Sequence, residues 1–464
     1  MWKRLIFSLI VTASLLLALT APVAAGSAKT LIGINVVLKT GITNAILADL
    51  ATHGTVRDVV YEIKALTMQV RAGDLTAIQK LPYVAAANPD QTRDGVPIDT
   101  VGATDFIAGL STWDLDAINV TDFGVGRTVA FDGSGVYVAV LDTGLLDSWR
   151  QYFPQERIAE QYAIAFGGGG GEVGTVSTQP DKWEHDQNSH GTHVTSTILG
   201  YQYPTTDNPT RAFNGVAPMA TVIPVKVLNQ NGSGSSSVVA RGIVYVADLK
   251  KDGKLGNNPV VINMSLGGPS LDAMEETAID YAIEQGVIIV ASAGNEGTAG
   301  MGYPGAYAPV ISVAASGWIG EWTTPTWWRT LNVPDPTNAN DYYITDFSSR
   351  QLAGQDLDVA APGSWVVGPY QTNGQISYYF LGGTSMASPH VAGIVALMAQ
   401  KAAEDGDTLT ASDAETILEN TAVALPAGCR NVNDGSGATV EFCWGANATG
   451  AGLATANAAL KGVK

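Results

Sequence analysis

The sequence predicts an α/β protein: a three-layer domain on a mostly parallel sheet, preceded by a small α+β domain. Past about residue 110, continuous β-branched runs recur: "VYVAVLD", "TVIPVKVL", "VVINMSLGG", "VIIVASAGN" and "VISVAAS". Strands apolar on both faces belong to a parallel sheet covered by helices on each side. Between residues 31 and 90 the pattern instead runs β-α-β-β-α-β. Composition agrees, since 46% apolar and 15% charged residues over 464 positions supply a core for a globular chain.

The N-terminal "MWKRLIFSLIVTASLLLALTAPVAAGSA" has a basic start at Lys3 and Arg4, an apolar stretch from Leu5 to Leu19, and small residues before Ala25 or Ala28. That is the pattern of a secretory signal, assigned to residues 1–25. No later stretch is apolar for long enough to span a bilayer, so the mature chain is expected to be exported, extracellular and membrane-free. Next come a strand in "LIGINVVLK", a helix in "ITNAILADLATHG" ending at Gly54, and a strand pair in "TVRDVVYEIKALTMQVRA". A short helix in "GDLTAIQKLP", stopped by Pro82, and a strand in "YVAAANPD" complete a ferredoxin-like arrangement. The polar "NPDQTRDGVPIDTVGATD" reads as a linker, which divides the remainder into 26–105 and 106–464.

In the larger part, "SSVVARGIVYVADLKK" and "AMEETAIDYAIEQG" are helical, and the glycine-rich "FGGGGGEVGTVSTQP" is a loop. Residues 317–343 carry Trp318, Trp322, Trp327 and Trp328; such a loop either presents an aromatic surface to a substrate or, as is more common and expected here, folds back onto the body. Cys429 and Cys443 are the only cysteines; an even pair in an exported chain reads as a disulfide, contributing on the order of 3 kcal/mol. A net charge of −18 argues against nucleic-acid binding, which needs a basic face.

Chemistry is concentrated in "GGTSMASPH", where Ser385 stands at the start of an apolar helix. His390, five positions on, points about 140° away and is a packing residue rather than the base. His190 in "EHDQNSHGTHVTSTILG" suits that task, since it lies at a loop-to-helix junction and Gly191 follows it. A base needs an orienting carboxylate, and Asp142 ends the buried strand "VYVAVLD". Asn295, ending "VIIVASAGN", supplies an oxyanion donor.

The motifs "VAVLDTG", "NSHGTHV", "SAGNEG" and "GGTSMASPH", in that order, resemble those of the subtilases, the subtilisin-like serine peptidases. The resemblance extends to residues 31–90, which look like the family's inhibitor-type propeptide, and to "GAGLATANAAL", like its closing helix. It implies Ser385 as nucleophile, His190 as general base and acid, Asp142 as its orienting partner, and Asn295 with the Ser385 amide around the oxyanion. It also implies that Gly232, Ser233 and Gly234, facing Ser265, Leu266 and Gly267, take an extended peptide between them. Gly302 in "MGYPGAY" would floor a pocket for large apolar residues, and Glu296 at its rim would tolerate a basic one. The expected protein is a monomeric, secreted endopeptidase of broad specificity, made as a self-processing precursor that its own propeptide inhibits. It acts on protein or peptide substrates and needs no cofactor for the chemistry. Structural calcium is admitted without assigned ligands: "YQYPTTDNPTRAFNGVAP" replaces the usual calcium loop, and Asp248 and Asp252 read as a surface turn.

Two other classes compete. A metal-dependent hydrolase would use His185, His190 and His193, although no H-E-x-x-H pattern supports it and Ser385 is left without a role. A non-catalytic scaffold on the same fold would have lost a polar member of the site, and all four are present.

Overall fold

Residues 31–89 alternate short amphipathic stretches with turns, giving β1 (Leu31–Leu38), α1 (Asn44–Leu50), β2 (Gly54–Val60), β3 (Ala65–Arg71), α2 (Leu75–Gln79) and β4 (Val84–Pro89). The strands form an antiparallel sheet in the order β2-β3-β1-β4. Ile34, Val36, Leu50, Leu66, Met68 and Ile78 make a core of their own beneath it. Helices this short hold through such packing rather than through propensity. The computed structural model describes residues 30–103, 112–123, 126–167, 176–203, 212–335 and 339–464. The signal assigned to residues 1–25 lies outside these.

The larger domain is built on β7 (Tyr137–Asp142), β8 (Ile164–Gly167), β9 (Thr221–Lys226), β11 (Val260–Met264), β12 (Val287–Ser292) and β13 (Ile311–Trp318). They run parallel in the order β8-β9-β7-β11-β12-β13. β15 (Val359–Pro362) adds a further parallel pairing to β13, while β14 (Tyr342–Ile344) and residues 177–178 pair antiparallel at the edges. Alternate residues explain the three layers. Val138 and Val140 join the core under α3 (His190–Leu199) and α6 (Thr384–Glu404), whereas Ala139 and Leu141 face α4 (Ser236–Lys251) and α5 (Ala273–Glu284). The strands following β7 are laid on both its sides, so the carboxyl ends of β7 and β11 border the crevice where such sheets place their sites.

The segment read as a linker is extended and paired instead. Its β5 (Thr92–Asp94) pairs with β10 (Ser233–Ser235), and its β6 (Asp99–Gly102) with β17 (Gln375–Gly382), itself paired to β16 (Val366–Thr372). Nothing in its polar composition favours a strand; open edges on the larger domain supply the main-chain partners.

The small domain rests on α4 and α5. Arg241 of α4 makes a two-pronged ion pair with Asp58 at 2.8 Å, and Val60, Ile63 and Ala65 join the apolar layer of those helices. Polar groups meet the helix N-termini. Asn35 donates to Asp272, the cap of α5, at 2.8 Å. Ser235 caps α4 with no side-chain hydrogen bond, and Asp90 of the preceding domain accepts the Ser237 amide there at 3.0 Å.

Trp318, Trp327 and Trp328 are buried, and Trp322 packs against Trp365 and Phe380, so the tryptophan-rich segment does fold onto the body. A disulfide joins Cys429 and Cys443 as direct cross-strand partners of a hairpin, β18 (Gly428–Asn433) and β19 (Thr439–Trp444). No helix among the described residues is long and apolar enough to cross a membrane.

Candidate active site

An acid at the end of a buried strand needs partners, and Asp142 has them. Its Oδ1 accepts the Thr143 amide at 2.6 Å, and its two oxygens lie 2.8 and 2.9 Å from His190 Nδ1. Facing a carboxylate, Nδ1 carries the proton, which leaves Nε2 with the lone pair. That nitrogen is buried and has no hydrogen-bond partner. His190 opens α3 after Ser189, whose φ of 77° makes the sharp turn. Asp186 braces this corner: it accepts the Thr143 hydroxyl and the Ser189 amide, both at 2.8 Å, while Thr143 Oγ1 accepts the Gly191 amide at 2.9 Å. A side chain at Gly191 would sit 2.3 Å from the Gly144 carbonyl, so only glycine fits behind the imidazole.

Ser385 is the second residue of α6 and is almost wholly buried. Its hydroxyl donates to the Ser265 carbonyl at 3.2 Å rather than to His190. The helix begins at Thr384, which puts Pro389 in its second turn. A proline there cannot donate to the carbonyl four residues back, that of Ser385, and the Ser265 hydroxyl fills the vacancy at 2.8 Å. Ser388 bonds Asn263 at 2.7 Å, and Asn263 bonds Ser265 at 3.1 Å, pinning the same turn to the end of β11. Asn295 is oriented by Thr384, whose amide and hydroxyl both donate to its Oδ1 at 2.9 Å. With the oxygen so engaged, the Asn295 amide nitrogen is the end left for the cleft.

The strand β5 lies in that cleft. Asp94 stands opposite Ser233 and exchanges both main-chain hydrogen bonds with Gly267 at 2.9 Å; the Gly95 amide then donates to the Gly232 carbonyl at 2.8 Å. Arg93 stands opposite Gly234. A methyl group on Gly95 would lie 3.6 Å from His190 Cε1, and three residues on the Ile98 amide donates to the Gly382 carbonyl at 2.7 Å. Gly382 precedes Ser385 by three positions, so the chain crosses the serine between Gly95 and Ile98. Leu266 is buried, and Gly302 faces Gly267 and Gly268, where an added methyl would meet the Gly268 amide nitrogen at 3.5 Å. Glu296 is exposed, and its carboxylate accepts the Ser349 hydroxyl at 3.0 Å.

The sequence model of the Subtilase family matches residues 133–446. The chain belongs to the subtilase family. It is therefore a serine-type peptidase by family. A thermostable alkaline protease of Halalkalibacterium halodurans is 35% identical over 344 residues, 74% of each chain. Thermitase of Thermoactinomyces vulgaris is 34% identical over 295 residues, 59% of this chain and 89% of its own. Fervidolysin of Fervidobacterium pennivorans, a keratinolytic enzyme related to subtilisin, superposes with a TM-score of 0.63 at 23% identity. That alignment covers 93% of this chain and 61% of fervidolysin's, and it supports the fold alone.

The other histidines of this subtilase lie elsewhere. Burial, and then the neighbouring His190, push His193 down to about 3, and its Nε2 faces the Val366 carbonyl at 3.1 Å. His185 is exposed, and His53 belongs to the small domain. His390 bonds the Met386 carbonyl at 2.8 Å and Asp114 at 3.0 Å, tying α6 to the segment before β7. Among the described residues the three histidines of the metal reading form no converging set, whereas Asp356, Asp358 and Glu415 do. Asp358 Oδ1 is buried without a partner, and burial raises this carboxyl to about 7, with Glu415 and Asp356 adding to the effect. An all-oxygen set of that kind suits calcium. The surface turn expected at Asp248 and Asp252 begins later than the sequence suggested: Asp248 still belongs to α4, where its carboxylate accepts the Tyr281 hydroxyl at 2.6 Å, and only Asp252, the C-cap, stands at the turn.

Proposed function

We propose that this subtilase is a secreted serine endopeptidase made as a self-processing precursor, with 1–25 as signal, 26–105 as propeptide and 106–464 as the peptidase domain. The observation that carries the reading is the Asp142–His190 contact at 2.8 Å, with Nε2 free of partners, beside a serine crossed by the chain's own extended strand. In the reaction, the Ser385 hydroxyl turns from Ser265 towards His190, passes its proton to Nε2 and attacks the substrate carbonyl. Asp142 stabilises the imidazolium. The oxyanion is met by Asn295 Nδ2 and the Ser385 amide at the N-terminus of α6, where the helix dipole also favours negative charge. His190 then protonates the leaving amine, and water repeats the sequence to release the acyl group.

Gly302 opposite Gly267 supports the apolar preference beside the cut, and Gly232 with Gly267 supports substrate binding as an added strand. Structural calcium enters the reading at Asp356, Asp358 and Glu415. The deciding experiment is the mass of the secreted protein. Wild type should lose its N-terminal domain and digest casein, whereas a Ser385→Ala precursor should stay full-length. Unaided shortening of that variant would overturn self-processing.

A further inference from the structure

Arg93, the middle residue of β5, has no solvent exposure, and neither has Glu275 in the first turn of α5. The guanidinium Nε lies 3.1 and 3.2 Å from the two carboxylate oxygens of Glu275, and Nη2 bonds the same carboxylate. Nη2 also donates to the Ser270 carbonyl and Nη1 to the Thr92 carbonyl, both at 3.0 Å. Room for the group comes from Gly268, where a methyl would lie 2.7 Å from Nη1. Asp272 and Asp90 add negative potential around it. This is a fitted seat for a planar, forked cation, a geometry that lysine does not reproduce.

Position along the cleft gives the seat a meaning. The chain passes His190 at Gly95 and reaches Gly382 at Ile98, so the bond midway over Ser385 is Val96–Pro97, and Arg93 is the fourth residue on its acyl side. Once β5 leaves, Glu275 keeps its place on α5 but loses the cation seated against it, and a charge held in a pocket without its partner is strongly unfavourable. We propose that Glu275, with Gly268 and the Ser270 carbonyl, forms a recognition pocket for arginine at the fourth residue before the cut in protein substrates. The inference rests on the peptidase reading above. Arg93 would be the propeptide's copy of that substrate residue.

The test uses processed enzyme and peptides identical except for arginine, citrulline or leucine at that position. Citrulline keeps the shape and removes the charge. Wild type should show kcat/KM about tenfold to a hundredfold higher for arginine than for citrulline, the range of a charge-assisted fork. Glu275→Gln should bring that ratio near one, and Glu275→Leu should favour leucine; the glutamine variant suffices if the leucine one fails to fold. Equal rates for arginine and citrulline in wild type would overturn the proposal, as would an arginine preference that survives Glu275→Gln. Casein digestion, measured alongside, needs no arginine at a chosen place and reports the peptidase reading separately.

Discussion

Pro389 has no amide proton to give the Ser385 carbonyl, and Ser265 supplies the missing bond, so the nucleophile's turn is held by the strand beside it as well as by its helix. Asn295 is held the same way, its oxygen bound twice by Thr384 so that its nitrogen is presented. Asn295→Ala should therefore lower kcat with little change in KM. The corresponding loss in subtilisin, a relative, is about 10²–10³-fold, and steady-state kinetics on one peptide would check it; an unchanged kcat would remove Asn295 from the oxyanion site. Asp142, His190, Asn295 and Ser385 could be picked from the sequence because each stands at or within three residues of the end of an element: Asp142 closes β7, His190 opens α3, Ser385 is second in α6 and Asn295 follows β12. Thr143, Asp186 and Thr384 could not. They act by holding other side chains, and a threonine or aspartate in a turn reads alike whether it braces a site or only closes a loop.

At the scale of elements, the parallel strands were legible as unbroken apolar runs, and the small domain as a β-α-β-β-α-β alternation. β5 and β6 were not, because "TRD" and "DTVG" carry no strand pattern and owe their conformation to the edges they join. The segment that follows β5 has a peculiarity: the bond inferred above to lie over Ser385 ends at Pro97, whose nitrogen bears a ring in place of a proton. On the proposed reading that ring would crowd the leaving-group side, so the segment would be held like a substrate and cut poorly. Pro97→Ala should speed conversion of the precursor to shorter forms, followed by mass spectrometry over time. Unchanged kinetics would mean that processing takes place at another bond.

Across the whole molecule, burial raises one carboxyl in the core, that of Glu321, to about 8; it accepts the Trp318 amide and sits with Tyr343 and Ser364. The folded state thus holds this proton more tightly than the unfolded chain does. Its contribution to stability is complete below the ordinary glutamate value near 4.5, declines as pH rises towards 8, and is lost above that. Melting temperature should fall across this window in wild type and fall less in Glu321→Gln, which stays neutral throughout; parallel curves would refute the assignment. The aromatic cluster around Trp327 was legible only as composition, since its partners Trp113, Trp365 and Phe380 lie far apart in the chain.

Asp90 carries a last consequence. The serine that caps α4, Ser235, makes no side-chain hydrogen bond, and the carboxylate that accepts the Ser237 amide at that end belongs to the domain in front. On the reading proposed above, processing would leave the peptidase domain with a helix whose starting group it no longer contains. Its lifetime should then be set by the height of the barrier to unfolding, not by a balance it could restore from the unfolded chain, and the proposed maturation would be a one-way step for the fold as well as for the covalent chain.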